Sequence, residues 1–358
     1  MSDGFVYVPV LRWKQSEWMA LRYLDDQVAD AILPLIEIPP SRYEDRETRQ
    51  VTDIDAKTED VAEKLYINWG TRPFFLDLDL INTTVHRTSS GRHILEMMCT
   101  LAGASGLCMT PVIGLHRNDD YQRAVLEACN MGNGLCLKVA ARNALHLAFP
   151  DEALMLVESM GLGIEDTDLI VDFGIVEGMS IEYRDVLGNV PQSHAWRNLI
   201  FTGGSFPRNL TEMEPGTNRL PRNEWQSWRA AVGGIGSEPI RIPTFSDSTI
   251  QHPLFEEPPV RSNPSASVRY AVDSDWLVFR GRGLRTRGSG GSQQYIGHAI
   301  LLSDHPEFYG QEFSYGDRYI SEIAAEQHRP GSPMTWLRAG INHHITLAVQ
   351  QLSNPPFS

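Results

Sequence analysis

PFFLDLDL, residues 73–80, is an apolar run broken by two carboxylates two positions apart. Side chains alternate along a strand, so Asp77 and Asp79 are expected to share one face. Charges in such a run are costly unless paired or used. The stretch is the third of eight of similar length. The others are VYVPVLRW (6–13), ILPLIEI (32–38), CMTPVIGL (108–115), GLCLKVA (134–140), DLIVDFG (168–174), NLIFTGGS (198–205) and IRIPTFSD (240–247). All are rich in Val, Ile, Leu and Phe and read as strands. Between them lie helical patterns such as SEWMALRYL, TEDVAEKLYINW, DDYQRAVLEACN and NEWQSWRAAVG. Several open with Ser, Thr or Asp, which can cap the first free amides.

Eight strand–helix units at intervals of roughly 25–45 residues predict an α/β fold, a (β/α)8 TIM-like barrel of about 250 residues. A doubly wound open sheet is the alternative, because period alone does not show closure. The barrel core is expected over 1–260. Residues 261–358 are expected to form a C-terminal extension that closes it. There VRYAVDSDWLVFRG reads as one or two strands, DRYISEIAAEQHRPG as a helix, and SPMTWLRAGINHHITLAVQQLSNPP as a last helix or a broken pair.

The formal charge of −14 argues against general binding to duplex DNA, which needs many phosphate contacts, but leaves room for a local basic pocket. A 42% hydrophobic content supports a sizeable core. No apolar stretch of about 20 residues is present, so no membrane span is expected. MSDGFVYVPVLRWKQ lacks a secretory pattern, and the four cysteines form no CxxC pair. Reduced thiols and a cytoplasmic location are expected.

In such a barrel the working groups stand at the C-terminal strand ends and in the loops that follow. Those places offer Lys14, Glu37, Asp77, Lys138, Asp172 and Asp247 as candidate catalytic groups. His343, from NHH at 342–344, joins them, and Arg117, His252 and Arg269 are candidate ligand-binding groups. Two readings stay open for the carboxylates. They form an ion-pair layer that closes the barrel, or a cluster for acid–base work or for a divalent metal such as Mg held by oxygens. HExxH, Walker, GxGxxG and GxSxG motifs are absent. Adjacent histidines on a helix point about 100° apart, so one is expected to face the barrel mouth while the other packs. A cap formed by Asn342 beside two packing histidines is the plainer alternative. SYGD (314–317) reads as a turn with Asp317 near a helix start.

Basic residues concentrate in WLVFRGRGLRTRGSGGSQQYIGHA, residues 276–299, which holds Arg280, Arg282, Arg285 and Arg287 and no acid. The Arg/Gly-rich loop is expected over 280–292. Glycines let backbone amides approach a ligand, and arginines offer forked donors to phosphate. Arg280, Arg282 and Arg285 are therefore candidate ligand contacts on a loop mobile when empty, with Tyr270, Trp276 and Tyr295 available to stack on a base. The plain alternative is a surface hairpin neutralising Asp273, Asp275, Glu256 and Glu257.

YVPVLRWKQSEWMAL, LPLIEIPP, FSDSTIQHP, VRYAVDSDWLVFRG and WLRAGINHHITL, in this order, resemble the family called beta protein. The resemblance implies a phage or mobile-element setting and a cytoplasmic location, and carries no reaction with it. The expected function is a barrel whose mouth binds a phosphate-bearing ligand, a nucleotide or a single-stranded nucleic-acid end. Its carboxylates would hydrolyse that ligand as a phosphodiesterase does. The competing reading is a non-enzymatic module that binds a phage or host protein or sequesters a nucleotide. An isomerase or lyase using Lys14 or Lys138 is the third.

Overall fold

Alternation sorts the strand residues into two sets. Val8, Val10, Leu35, Phe75, Val112, Cys136, Ile170 and Ile200 form one buried cluster. Their neighbours, such as Tyr7, Leu76, Leu137, Phe201 and Phe245, join a larger core with the helices. One face thus turns to an axis and the other to a helical layer, which is what a closed parallel barrel requires.

The computed structural model describes residues 4–45, 47–48, 50–81, 87–179, 182–233 and 241–354. Its strands are β1 (Tyr7–Arg12), β2 (Leu35–Glu37), β3 (Phe74–Asp77), β4 (Met109–Ile113), β5 (Leu135–Ala140), β6 (Thr167–Ile175), β7 (Asn198–Gly204), β8 (Gly216–Pro221), β9 (Thr244–Asp247), β10 (Ser265–Ala271) and β11 (Asp275–Gly283). β1 to β7 and β9 close into a barrel, with β9 parallel to both β7 and β1. Closure rules out the open sheet. Each of the eight apolar runs supplies one barrel strand. Residues 1–3, Ile240 of the eighth run and the closing 355–358 lie outside the described residues.

β8 has no apolar run. It is a polar edge strand, recruited by antiparallel pairing of Gly216–Pro221 with β11. With β10 these form a three-stranded sheet in the order β10-β11-β8. Val268, Tyr270, Leu277 and Phe279 pack one face of it on helices Gln294–Ser303 and Tyr315–Ala324. Ala271, Trp276 and Val278, on the opposite face, join the barrel-side core. Ser314 caps the helix Tyr315–Ala324 by accepting from Asp317 N, as SYGD suggested.

The last helix, Pro333–Leu352, is continuous rather than a broken pair. Two glycines let it approach its neighbours. A Cβ on Gly340 would stand 2.6 Å from the Arg269 carbonyl oxygen, and one on Gly316 would overlap the Ala339 carbonyl. Its middle is a polar seam. Asn342 caps nothing; its amide donates to Ala20 O (3.1 Å) and accepts from Gly316 N (3.0 Å).

Neither His343 nor His344 faces the mouth, as one of them was expected to; both pack, as the plainer alternative had it. His343 is buried, with Nδ1 2.8 Å from Asp317 and Nε2 2.8 Å from Ala271 O, and its ring stacks on Tyr270. His344 reaches Asp247 at 2.9 Å on the outer side of the barrel wall. His343→Gln leaves Asp317 short of a donor inside the protein. It is expected to cost about 1–3 kcal/mol in urea unfolding, and an unchanged midpoint would contradict the tie.

The arginine–glycine segment also departs from expectation. It is a pinned turn, not a loose loop. Asn263 Oδ1 accepts from Arg285 N (2.8 Å), Gln294 Oε1 from Arg282 N (2.8 Å), and Pro264 O from Leu284 N (2.9 Å). Tyr270, Trp276 and Tyr295 are not free to stack on a base, because all three are buried in the cores beneath it. The acids proposed as neighbours pair elsewhere: Asp275 with Arg219, Glu256 with Arg208 and Glu257 with Lys14.

Candidate functional site

The inward positions of β1, β2 and β3 end level with one another, Arg12 beside Glu37 and Glu37 beside Asp77. Lys138 from β5 points into the same layer. Its Nζ lies 3.0 Å from Glu37, 3.4 Å from Asp77 and 3.6 Å from Asp172 of β6. Arg12 Nε stands 3.4 Å from the other oxygen of Glu37. Arg117, just after β4, donates to Asp77 at 3.0 Å and also pairs with Asp79. Five of the sequence candidates, Glu37, Asp77, Arg117, Lys138 and Asp172, thus meet in one layer above the apolar interior, held by ion pairs. Asp79 does not share the strand face with Asp77, because β3 ends at Asp77 and a short 3-10 turn follows.

Electrostatics of the layer follow from burial against charge. Burial pushes the Asp77 carboxyl up, but Lys138 and Arg117 outweigh it and hold it below the usual carboxylate range. Burial pushes Lys138 down, yet Glu37, Asp77 and Asp172 hold it well above 10.5. A lysine so charged is neither nucleophile nor base at neutral pH. Its ammonium takes the place among the carboxylate oxygens that a divalent cation would need. Among the described residues, no group of three or more His, Cys, Asp or Glu side chains is arranged to hold a metal.

Burial also pushes His344 below 6.5 against the pull of Asp247. Both depressed groups, Asp77 and His344, act in one direction. Their stabilisation is full above the unfolded values and is lost as pH falls through the lower folded ones. Glu224, which burial pushes up to about 7, acts the other way between there and 4.5, so the fall in melting temperature is expected below about pH 4, as Asp77 is protonated. A flat profile in circular-dichroism melts would contradict it.

Beside this layer, on the C-terminal face of the barrel, lies a groove of about 610 Å³. That is within the roughly 300–1,000 Å³ of small-molecule sites. Arg12 joins layer and groove: beyond Glu37 it donates to His252 O (2.7 Å) and to Pro253 O. Lys14 lies over Phe255 (4.7 Å) and 3.4 Å from Glu257. His252 Nδ1 donates to Phe206 O (2.9 Å).

Arg269 stacks over Phe206 (4.6 Å) and donates to Ile250 O (2.9 Å). Among the described residues it forms no ion pair. Burial, the larger influence, pushes its guanidinium down to about 10. A half-buried cation without a carboxylate, at the edge of a groove, is a ready anion site.

The remaining candidates go elsewhere. Asp247 points away from the mouth, because inward and outward positions alternate and Phe245 and Asp247 are outward. It is buried against Tyr7 (2.5 Å) and His344. Arg280 donates to Met213 O, and Arg282 and Arg285 sit at the far end of β11; none lines the groove. Arg117 does not line this groove either; its guanidinium is engaged by Asp77 and Asp79.

A family model described as Beta protein matches residues 7–350, nearly the full chain. The chain belongs to the Beta protein family. No curated protein matches it. Among solved structures it is similar to a mutant tryptophan synthase alpha-subunit from the hyperthermophile Pyrococcus furiosus, at 13% identity and TM-score 0.39, over 70% of this chain and 90% of that one. It is similar to the YdjI aldolase from Escherichia coli K12 at 11% identity and TM-score 0.36, over 98% and 90%. It is also similar to SacUVDE at 13% and 0.31, over 69% and 92%. No helix among the described residues is long and apolar enough to cross a membrane.

In this Beta protein, sequence reasoning did not single out Arg12, which joins layer and groove, nor Glu17 and Gln251, which line the groove. Arg12 was detectable, since Val8, Val10 and Arg12 share one alternation. Glu17 was not, because it resembles any acid in a first helical turn.

Proposed function

We propose that this Beta protein is a binding module for a small phosphate-bearing molecule, taken up in the groove beside the barrel mouth. The observation that carries the reading is Arg269, a half-buried guanidinium with no carboxylate partner among the described residues. Lys14 and His252 flank it as further cationic or donor groups. The acidic body repels long nucleic acid and leaves a local attraction, so a nucleotide or strand end suits the site better than a duplex. The phage or mobile-element setting implied by the family fits sequestration of such a molecule.

Turnover is the weaker reading, because Glu37 and Asp77 are engaged by Lys138, Arg12 and Arg117. Titration of AMP by calorimetry at two ionic strengths tests the proposal. Binding is expected to weaken with salt and to depend on Arg269. Equal binding by wild type and Arg269→Gln would overturn it.

A further inference from the structure

Two charges in the groove have no ion-pair partner among the described residues. One is Arg269. The other is Glu17, almost fully buried, whose carboxylate accepts from Ser16 Oγ (2.5 Å) and Gln251 Nε2 (2.9 Å). Consecutive residues hold the two: Ile250 O anchors the guanidinium and Gln251 anchors the carboxylate.

The corner that carries them is strained. Thr249, a β-branched residue, has φ 55°, a left-handed conformation that such side chains rarely adopt. Strain of this kind persists only where the surroundings impose it. Here Asp247 imposes it. Its carboxylate accepts from Thr249 N (2.8 Å) while Tyr7 and His344 fix it from behind. Asp247, Tyr7 and His344 are therefore positioning residues for the groove wall.

Resting on the anion-binding reading of the groove, we infer that Glu17 is its second pole. The ligand is then a hydroxyl-bearing phosphate ester, with phosphate on Arg269 and sugar hydroxyls on Glu17. A carboxylate accepts from neighbouring hydroxyls with charge-assisted strength. An ammonium at that place would face Arg12, Lys14 and Arg269 across the same groove, so neutral donors fit better. Leu254, Phe255, Met334 and Leu337 supply the apolar wall for the rest of the molecule.

Calorimetric titrations of ribose 5-phosphate and AMP, each beside its 2-deoxy counterpart, test this. Wild type is expected to prefer the hydroxylated member by roughly tenfold, the loss of one charged hydrogen bond. Preference confined to AMP and dAMP identifies a nucleotide, and preference in both pairs a sugar phosphate. Glu17→Gln is expected to bring the ratio towards one and leave the deoxy compounds unaffected. Arg269→Gln is expected to weaken every compound alike.

An unchanged ratio in Glu17→Gln, with Arg269→Gln still weakening binding, overturns the second pole and leaves the anion site standing. No binding by wild type, or no effect of Arg269→Gln, overturns both. Should Glu17→Gln melt below the assay temperature, Glu17→Asp serves. It keeps the charge but withdraws it by one methylene, and a ratio equal to wild type again overturns the assignment.

Discussion

Replacing Lys138 with methionine is expected to lower stability by about 3–5 kcal/mol, the cost of leaving buried carboxylates uncompensated. Methionine matches the lysine stem in length, so packing changes little. Charge changes a great deal: Glu37, Asp77 and Asp172 lose the ammonium that stands 3.0, 3.4 and 3.6 Å away. Among the described residues Asp77, fully buried, keeps Arg117 and the amide of Asp79, and Glu37 keeps Arg12 at 3.4 Å. Asp77→Asn attacks the same layer from the other side and is expected to fall in the same range, since Lys138 and Arg117 then lose their most buried partner. Urea unfolding followed by tryptophan fluorescence measures both. A loss below about 1 kcal/mol, as for an exposed pair, would show that the layer is not a structural closure.

Arg269→Gln is expected to weaken binding of a phosphate ester by roughly 10- to 100-fold, since a hydrogen bond to a charged group contributes about 1.5–3 kcal/mol. Stability should change little. Among the described residues the guanidinium breaks no ion pair when it leaves, and glutamine can still donate to Ile250 O. The stacking on Phe206 is lost. Comparison of the dissociation constants of wild type and variant for AMP reads the effect. A loss of melting temperature with unchanged affinity would make Arg269 a structural prop.

The barrel was legible because its physics is local. Each strand needs a run of apolar residues, and eight runs separated by helical patterns leave few arrangements. β8 was not legible, because Gly216–Pro221 is polar and is drawn into a sheet only by pairing with β11. The convergence of Glu37, Asp77, Lys138 and Asp172 was legible from inward alternation once a barrel was assumed. The same alternation, applied one residue further along β9, puts Asp247 outside.

His343 looked like a mouth residue because the last helix was expected to cap the barrel. Instead that helix lies along the wall, and consecutive side chains tie it to cap and strand. The arginine segment held the most evident charge in the sequence, yet the fold carries it to the far end of β11. Arg269, a single arginine in an ordinary strand, is the one its partners expose.

The central claim is that closure and binding are separate: the ion-pair layer holds the barrel and the groove beside it holds the ligand. Melting and AMP titration of Asp77→Asn and Arg269→Gln, run side by side below the lower melting temperature, test this most directly. Asp77→Asn is expected to melt far lower and bind as wild type does, while Arg269→Gln melts as wild type does and binds weakly. The reverse pattern, a stable Asp77→Asn that no longer binds beside an Arg269→Gln that does, would contradict the account and return the carboxylates to the active centre.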